Sequence, residues 1–108
     1  MKKTKRIRLE ARGWRVGSAK DFLGLRPEEA ALVETRLTLS RALRAKREAL
    51  HLTQSELARR LKSSQLRVAK MEAGDKTVSV DLLVKALFSL GARPKDVGRA
   101  LRRGSAAA

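Results

Sequence analysis

The stretch SSQLRVAKMEAG, residues 63–74, sets unlike chemical groups at helical spacing. Val68 and Met71 fall together on one face, while Gln65, Arg67 and Lys70 fall on the other with Leu66 beside them. An amide, a guanidinium fork and an ammonium can recognise a partner through several hydrogen bonds at once. None of them is equipped to transform that partner. No nucleophile–base–orienter set, phosphate loop or metal cluster accompanies them, so no catalytic residue, cofactor or metal is expected. The chain has no cysteine, and His51 is its one histidine, too isolated to make a metal site. Asp21, Glu28 and Glu29 form the one carboxylate group of note, and carboxylates at helix starts account for it.

The partner of such a face is indicated by charge. Lys and Arg number 26 against 11 Asp and Glu, a net +15, which points to a polyanion and most often to nucleic acid. Single-stranded RNA recognition wants exposed stacking aromatics, and this chain has one Trp, two Phe and no Tyr. A membrane is the other polyanionic surface. No stretch approaches the roughly 18–20 apolar residues of a spanning helix, and no apolar run follows the cations of MKKTKRIRLEAR. The expectation is a cytoplasmic protein that binds no membrane.

The elements that would position this face read as follows. Residues 1–6 form a basic tail. Ile7, Leu9 and Ala11 then alternate with Arg8, Glu10 and Arg12, the period of a short strand. Ser18 and Asp21 make a capping box before Phe22, with Gly24 as the stop. Pro27 opens a helix as a first-turn proline, although Arg26 is a poor N-cap. From there to His51 the pattern allows one long helix, or two meeting near Thr38–Ser40. Thr53 and Glu56 form another capping box for a helix through about Leu61. A three-residue turn leads to Ser64, the N-cap of the next helix, which Gly74 ends. Ser79 caps VDLLVKALFSL, Gly91 closes it, and Pro94 starts a basic helix over about 94–103. GSAAA reads as a tail. The fold class is thus all-α, about five helices with a short N-terminal strand. Its divisions are an extension over 1–35, a central domain over 36–92, and a basic helix with tail over 93–108.

Residues 39–91 carry a more specific pattern: Arg47 in the first helix, Thr53-Gln54 opening the second, Ala58 within it, and Glu72 with Gly74 closing the third. This resembles the helix-turn-helix domain of the phage-repressor and Xre family of transcriptional regulators. The resemblance implies a lambda-repressor-like bundle whose third helix enters the DNA major groove. Gln65, Leu66, Arg67 and Lys70 then become base-reading candidates, since Gln suits adenine, Arg and Lys suit guanine, and an apolar group suits the thymine methyl. Gln54, Ser64, Arg44 and Lys46 become phosphate-binding candidates. Arg47 and Glu72 resemble the family's internal ion pair. Ala58 would be small for a close helix crossing, and Leu57, Leu61, Val68, Met71, Leu83 and Leu87 would supply the core. His51 and Lys62 depart from the pattern. Each stands where the family usually has Gly, at sites expected to need positive φ.

The front end, GWRVGSAKDFLGLRPEEAALVETRLTLSRALR, resembles the N-terminal extension of HigA-like antitoxins. That likeness implies a RelE/HigB-like toxin as partner, with Trp14 and Phe22 as interface candidates or simply as packing for the helix at Pro27. The resemblance also implies a homodimer reading a palindromic operator. Its surface would be either the Ile7–Ala11 strand or the C-terminal helices near Leu87, Leu90 and Val97. The competing readings are a stand-alone Xre-type regulator and a protein-interaction module on the same fold.

Overall fold

The computed structural model describes residues 24–107. The expected basic tail, the Ile7–Ala11 strand, the Ser18–Asp21 capping box and the side chains of Trp14 and Phe22 lie outside them. Within the described residues the fold is an all-α helix-turn-helix bundle of five helices: α1 Pro27–Ala49, α2 Gln54–Leu61, α3 Gln65–Ala73, α4 Val80–Ser89 and α5 Pro94–Ala107.

α1 is one helix of 23 residues. Thr38 and Ser40 do not break it: both are buried, Thr38 beside Gly104 and Ser40 beside Gly74. The helix crosses the division between residues 35 and 36 without interruption. Its start has no side-chain cap, although Arg26 Nε pairs with Glu28 Oε2 at 3.1 Å on the surface. Pro27 supplies the preset φ, and the Arg26 N–H donates to Glu29 Oε1 at 3.0 Å. The next three helices begin on hydroxyls that accept from the first turn: Thr53 from Glu56 N, Ser64 from Arg67 N and Ser79 from Leu82 N. At α2 the box is closed from both sides, with Thr53 N–H donating to Glu56 Oε1 at 2.7 Å.

Four helices stop by one device. A residue enters the left-handed region, and the residue after it donates its N–H back to a carbonyl five residues earlier. The bonds are Leu52 to Arg47, Ser63 to Ala58, Asp75 to Lys70 and Ala92 to Leu87. The left-handed residues are His51 (φ 58), Lys62 (φ 55), Gly74 (φ 72) and Gly91 (φ 95). The positive φ expected at His51 and Lys62 is therefore present. Gly74 has a second reason to be glycine, because a Cβ there would stand 2.6 Å from Leu37 Cδ2 of α1.

Leu39 and Leu43 of α1, Leu57 and Ala58 of α2, Val68 and Met71 of α3, Val78, Leu83, Ala86 and Leu87 of α4, and Leu90 just after it form one core. Leu61, expected in the core, packs at its edge and is partly buried. Each fully buried Leu contributes roughly 1.5–3 kcal/mol, so this aliphatic set can hold the bundle without an aromatic centre. Phe88 lies 43% exposed on α4.

The C-terminal helix runs longer than its sequence pattern suggests. GSAAA was expected to be a tail after residue 103, but α5 continues through Ala107. Gly104 is the reason, despite its low helix propensity. A Cβ at that position would lie 2.6 Å from Thr38 Cγ2, so the missing side chain lets α5 rest directly on α1. The alanines that follow are strong helix formers.

The two non-glycine stops carry a measurable cost. His51→Gly should raise stability by about 1 kcal/mol in urea unfolding, because it relieves the left-handed strain. Lys62→Gly should gain less, since it also removes a cation from the C-terminal end of α2. An unchanged or lowered midpoint for His51→Gly would show that its backbone geometry is not strained.

Candidate nucleic-acid interface

The turn between α2 and α3 is set by backbone geometry. Lys62 is left-handed, Ser63 N–H reaches back to Ala58 O at 2.8 Å, and Ser64 caps α3 by accepting from Arg67 N at 3.1 Å. α3 then divides as its sequence predicts. Val68 and Met71 are buried, whereas Gln65, Leu66, Arg67 and Lys70 are exposed. Leu66 is 67% exposed, an unusual position for a leucine with no partner to cover it.

The start of α3 also differs electrostatically from its neighbours. α1, α2, α4 and α5 each place an acid in the first turn, and α3 places none. The positive end of its dipole therefore carries Arg67 with no carboxylate to balance it. Free N–H groups and a cation facing outward suit an anion.

A charged clamp holds this helix in place. Arg47 Nε donates to Glu72 Oε2 at 2.6 Å, and Arg47 Nη2 donates to Glu72 Oε1 at 3.1 Å. Arg47 Nη1 donates to Leu52 O at 2.7 Å. The two side chains are 12% and 4% exposed. Glu72 Oε1 also accepts from Gln54 Nε2 at 3.1 Å. One guanidinium and one carboxylate thus join the end of α1, the loop after it, the start of α2 and the end of α3. The hydrogen bond from Glu72 pushes the Arg47 pKa above its ordinary value, outweighing the burial that opposes it. Farther along, Arg36 Nε donates to Val78 O at 3.0 Å and fixes the loop between α3 and α4 to α1.

The candidate residues do not all share one surface. Gln65, Leu66, Arg67, Lys70 and Ser64 lie on or at the start of α3. Gln54 adjoins them, but its amide nitrogen is engaged with Glu72. Arg44 is paired to Glu48 at 3.2 Å on the surface of α1. Lys46 lines a separate groove with Ala42, Leu87, Val97 and Arg99. Among the residues suggested for self-association, Leu87 and Leu90 are buried in the monomer core, and Phe88 and Leu101 are the exposed apolar side chains nearby. Nothing in the residue pattern singles out Ser55. Its hydroxyl donates to Gln65 Oε1 at 3.3 Å, linking the start of α2 to the first side chain of α3.

Two short helices joined by a tight turn, the second with a polar exposed face, locked to a longer helix by a buried ion pair, define a helix-turn-helix unit. Residues 43–90 match the helix-turn-helix family model, which spans the end of α1 through α4 and describes a DNA-binding, regulatory architecture. Searches of curated proteins and of solved structures returned no match. No helix among the described residues is long and apolar enough to cross a membrane.

The clamp can be tested by replacement. Glu72→Gln or Arg47→Met should each lose about 3–5 kcal/mol in denaturant unfolding, because one buried charge is left unpaired. The double change Arg47→Met/Glu72→Leu should lose less than the sum. Strict additivity would mean the two side chains act independently.

Proposed function

We propose that this protein is a sequence-specific double-stranded DNA-binding transcriptional regulator that represses its own promoter. The observation that carries the reading is α3 itself. It is an exposed Gln–Leu–Arg…Lys face on a helix with an uncompensated positive end, held at a fixed angle by the Arg47–Glu72 clamp. In this reading α3 lies in the major groove. Gln65 and Arg67 bond adenine and guanine edges, Lys70 takes a second guanine or a phosphate, and Leu66 covers a thymine methyl. Ser55 sets the direction of the Gln65 amide. Ser64 and the first-turn N–H groups of α2 and α3 approach the backbone, with Gln54 dividing its amide between Glu72 and a phosphate.

Two finer statements belong to the same proposal. A homodimer would read a palindrome with its half-sites a helical turn apart, about 34 Å. An antitoxin role, holding a RelE/HigB-like toxin through Trp14 and Phe22, rests on the likeness of the N-terminal extension. A stand-alone regulator is the second reading. The family match spans residues 43–90 and bears on both readings alike.

The test compares the duplex upstream of the gene with a length-matched scrambled duplex across a salt series. The parent protein should prefer the upstream duplex at physiological salt. Gln65→Ala and Arg67→Ala should each cost about 1–3 kcal/mol on that duplex and relax the preference. Equal binding to both duplexes by the parent, vanishing as salt rises, would reduce the interaction to the attraction of a +15 surface and sink the base-reading assignment.

A further inference from the structure

Beside the exposed face of α3 lies a depression of about 430 Å³ between the α2–α3 turn and α4. Its floor is Leu61, Met71, Leu82 and Ala86, and its rim carries Arg60, Lys62, Arg67 and Lys85. No carboxylate lines it. Among the described residues, none of these four cations takes part in an ion pair, and the same holds for other surface cations such as Lys46 and Arg103. Helix dipoles account for part of this arrangement only. Arg60 and Lys62 sit at the C-terminal end of α2, where a cation is favourable. Arg67 sits in the first turn of α3, where a cation is unfavourable, and Lys85 lies in the middle of α4. Four like charges converging on one concave surface repel one another and focus a positive field above it. Only an anion entering from outside relieves that repulsion.

We infer that this basin is a phosphodiester site: Arg60, Lys62 and Lys85 hold the DNA backbone alongside the stretch that α3 reads. The inference rests on the DNA-binding reading above and extends it to residues outside that reading. Arg67 stands at the border, its backbone at the start of α3 and its side chain shared between the groove and the basin. The occupant is DNA rather than an acidic protein because the basin shares Arg67 with the exposed face of α3 that also carries Gln65, Leu66 and Lys70. A duplex engaged by those residues must carry a phosphate strand past one flank of the helix.

The experiment uses Arg60→Gln/Lys85→Gln in the full chain, with Arg99→Gln/Arg103→Gln on α5 as a control of equal charge loss. Binding to the upstream and scrambled duplexes is measured across salt, and unfolding midpoints confirm that both variants fold. The basin variant should weaken both duplexes by the same factor, roughly tenfold or more near 0.1 M salt. Its log K against log salt should become shallower by about 1.8, the release of counterions from two contacts. The control should keep the parent slope. If the basin variant keeps the parent slope, or the control loses as much, the basin is not a phosphate site. If the basin variant melts early, Lys85→Gln alone is judged the same way against a change of about 0.9. A parent that fails to prefer the upstream duplex overturns base reading alone, because the slope comparison on the scrambled duplex still decides the basin. A parent that binds neither duplex at low salt overturns both, and an acidic protein becomes the better partner.

Discussion

One buried ion pair governs the geometry of this molecule. Without it, the exposed face of α3 would sit on a helix of 9 residues with only Val68 and Met71 to anchor it. Arg47 and Glu72 convert that weak apolar footing into a directional joint, because a bidentate guanidinium–carboxylate contact fixes an angle as well as a distance. Leu52 O and Gln54 Nε2 add to the joint, one accepting a third guanidinium N–H and the other donating to Glu72 Oε1. The pair adds little net stability compared with a well-packed apolar alternative. What it supplies is a fixed relation between α1, α2 and α3, and every proposed contact of Gln65, Leu66, Arg67 and Lys70 depends on that relation. The hydrogen bond to Glu72 raises the Arg47 pKa further above an already high ordinary value.

Much of this arrangement was legible in the sequence, for identifiable reasons. Hydroxyl caps at Thr53, Ser64 and Ser79 and glycine stops at Gly74 and Gly91 are local chemistry, so the boundaries of α2, α3 and α4 could be read directly. The ion pair was legible through resemblance, because two charged residues separated by a whole helix give no local signal. Interactions that depend on how helices cross were not legible. The long α5 is an example: Gly104 looks like a terminator until Thr38 is known to lie beneath it. Ser55 is another, since its bond to Gln65 joins two helices whose relative angle is a tertiary fact. The phosphate candidates on α1 failed to gather for the same reason. Arg44 and Lys46 are close in sequence to Arg47, but one is spent on Glu48 and the other points into the groove beneath α5.

The distribution of charge gives the bundle two sides of different character. On the α3 side the cations are free of carboxylates and surround apolar ground. On α5 the charges are partly balanced, with Asp96 accepting from Arg93 N–H at 2.8 Å and from Arg99 Nη1 at 3.2 Å. Those bonds, led by the Arg93 N–H, hold the Asp96 carboxyl below its ordinary range, so it remains ionised and tempers the field of its neighbours. Among the described residues the charge is therefore not balanced evenly, and one group of cations without a facing carboxylate lies beside α3.

The contact of Gly104 with Thr38 bears on how the chain reaches this structure. α1 through α4 are joined by short connections, and their packing spans up to 42 residues of chain, as between Arg36 and Val78. α5 instead returns across the whole bundle to touch the middle of α1. That contact closes a longer stretch of chain than the Arg36–Val78 bond does, and the cost of closing a loop grows only slowly with its length. α5 meets the bundle through α1 and α4, so it can lift from its C-terminal end while the joint between α1, α2 and α3 stays closed.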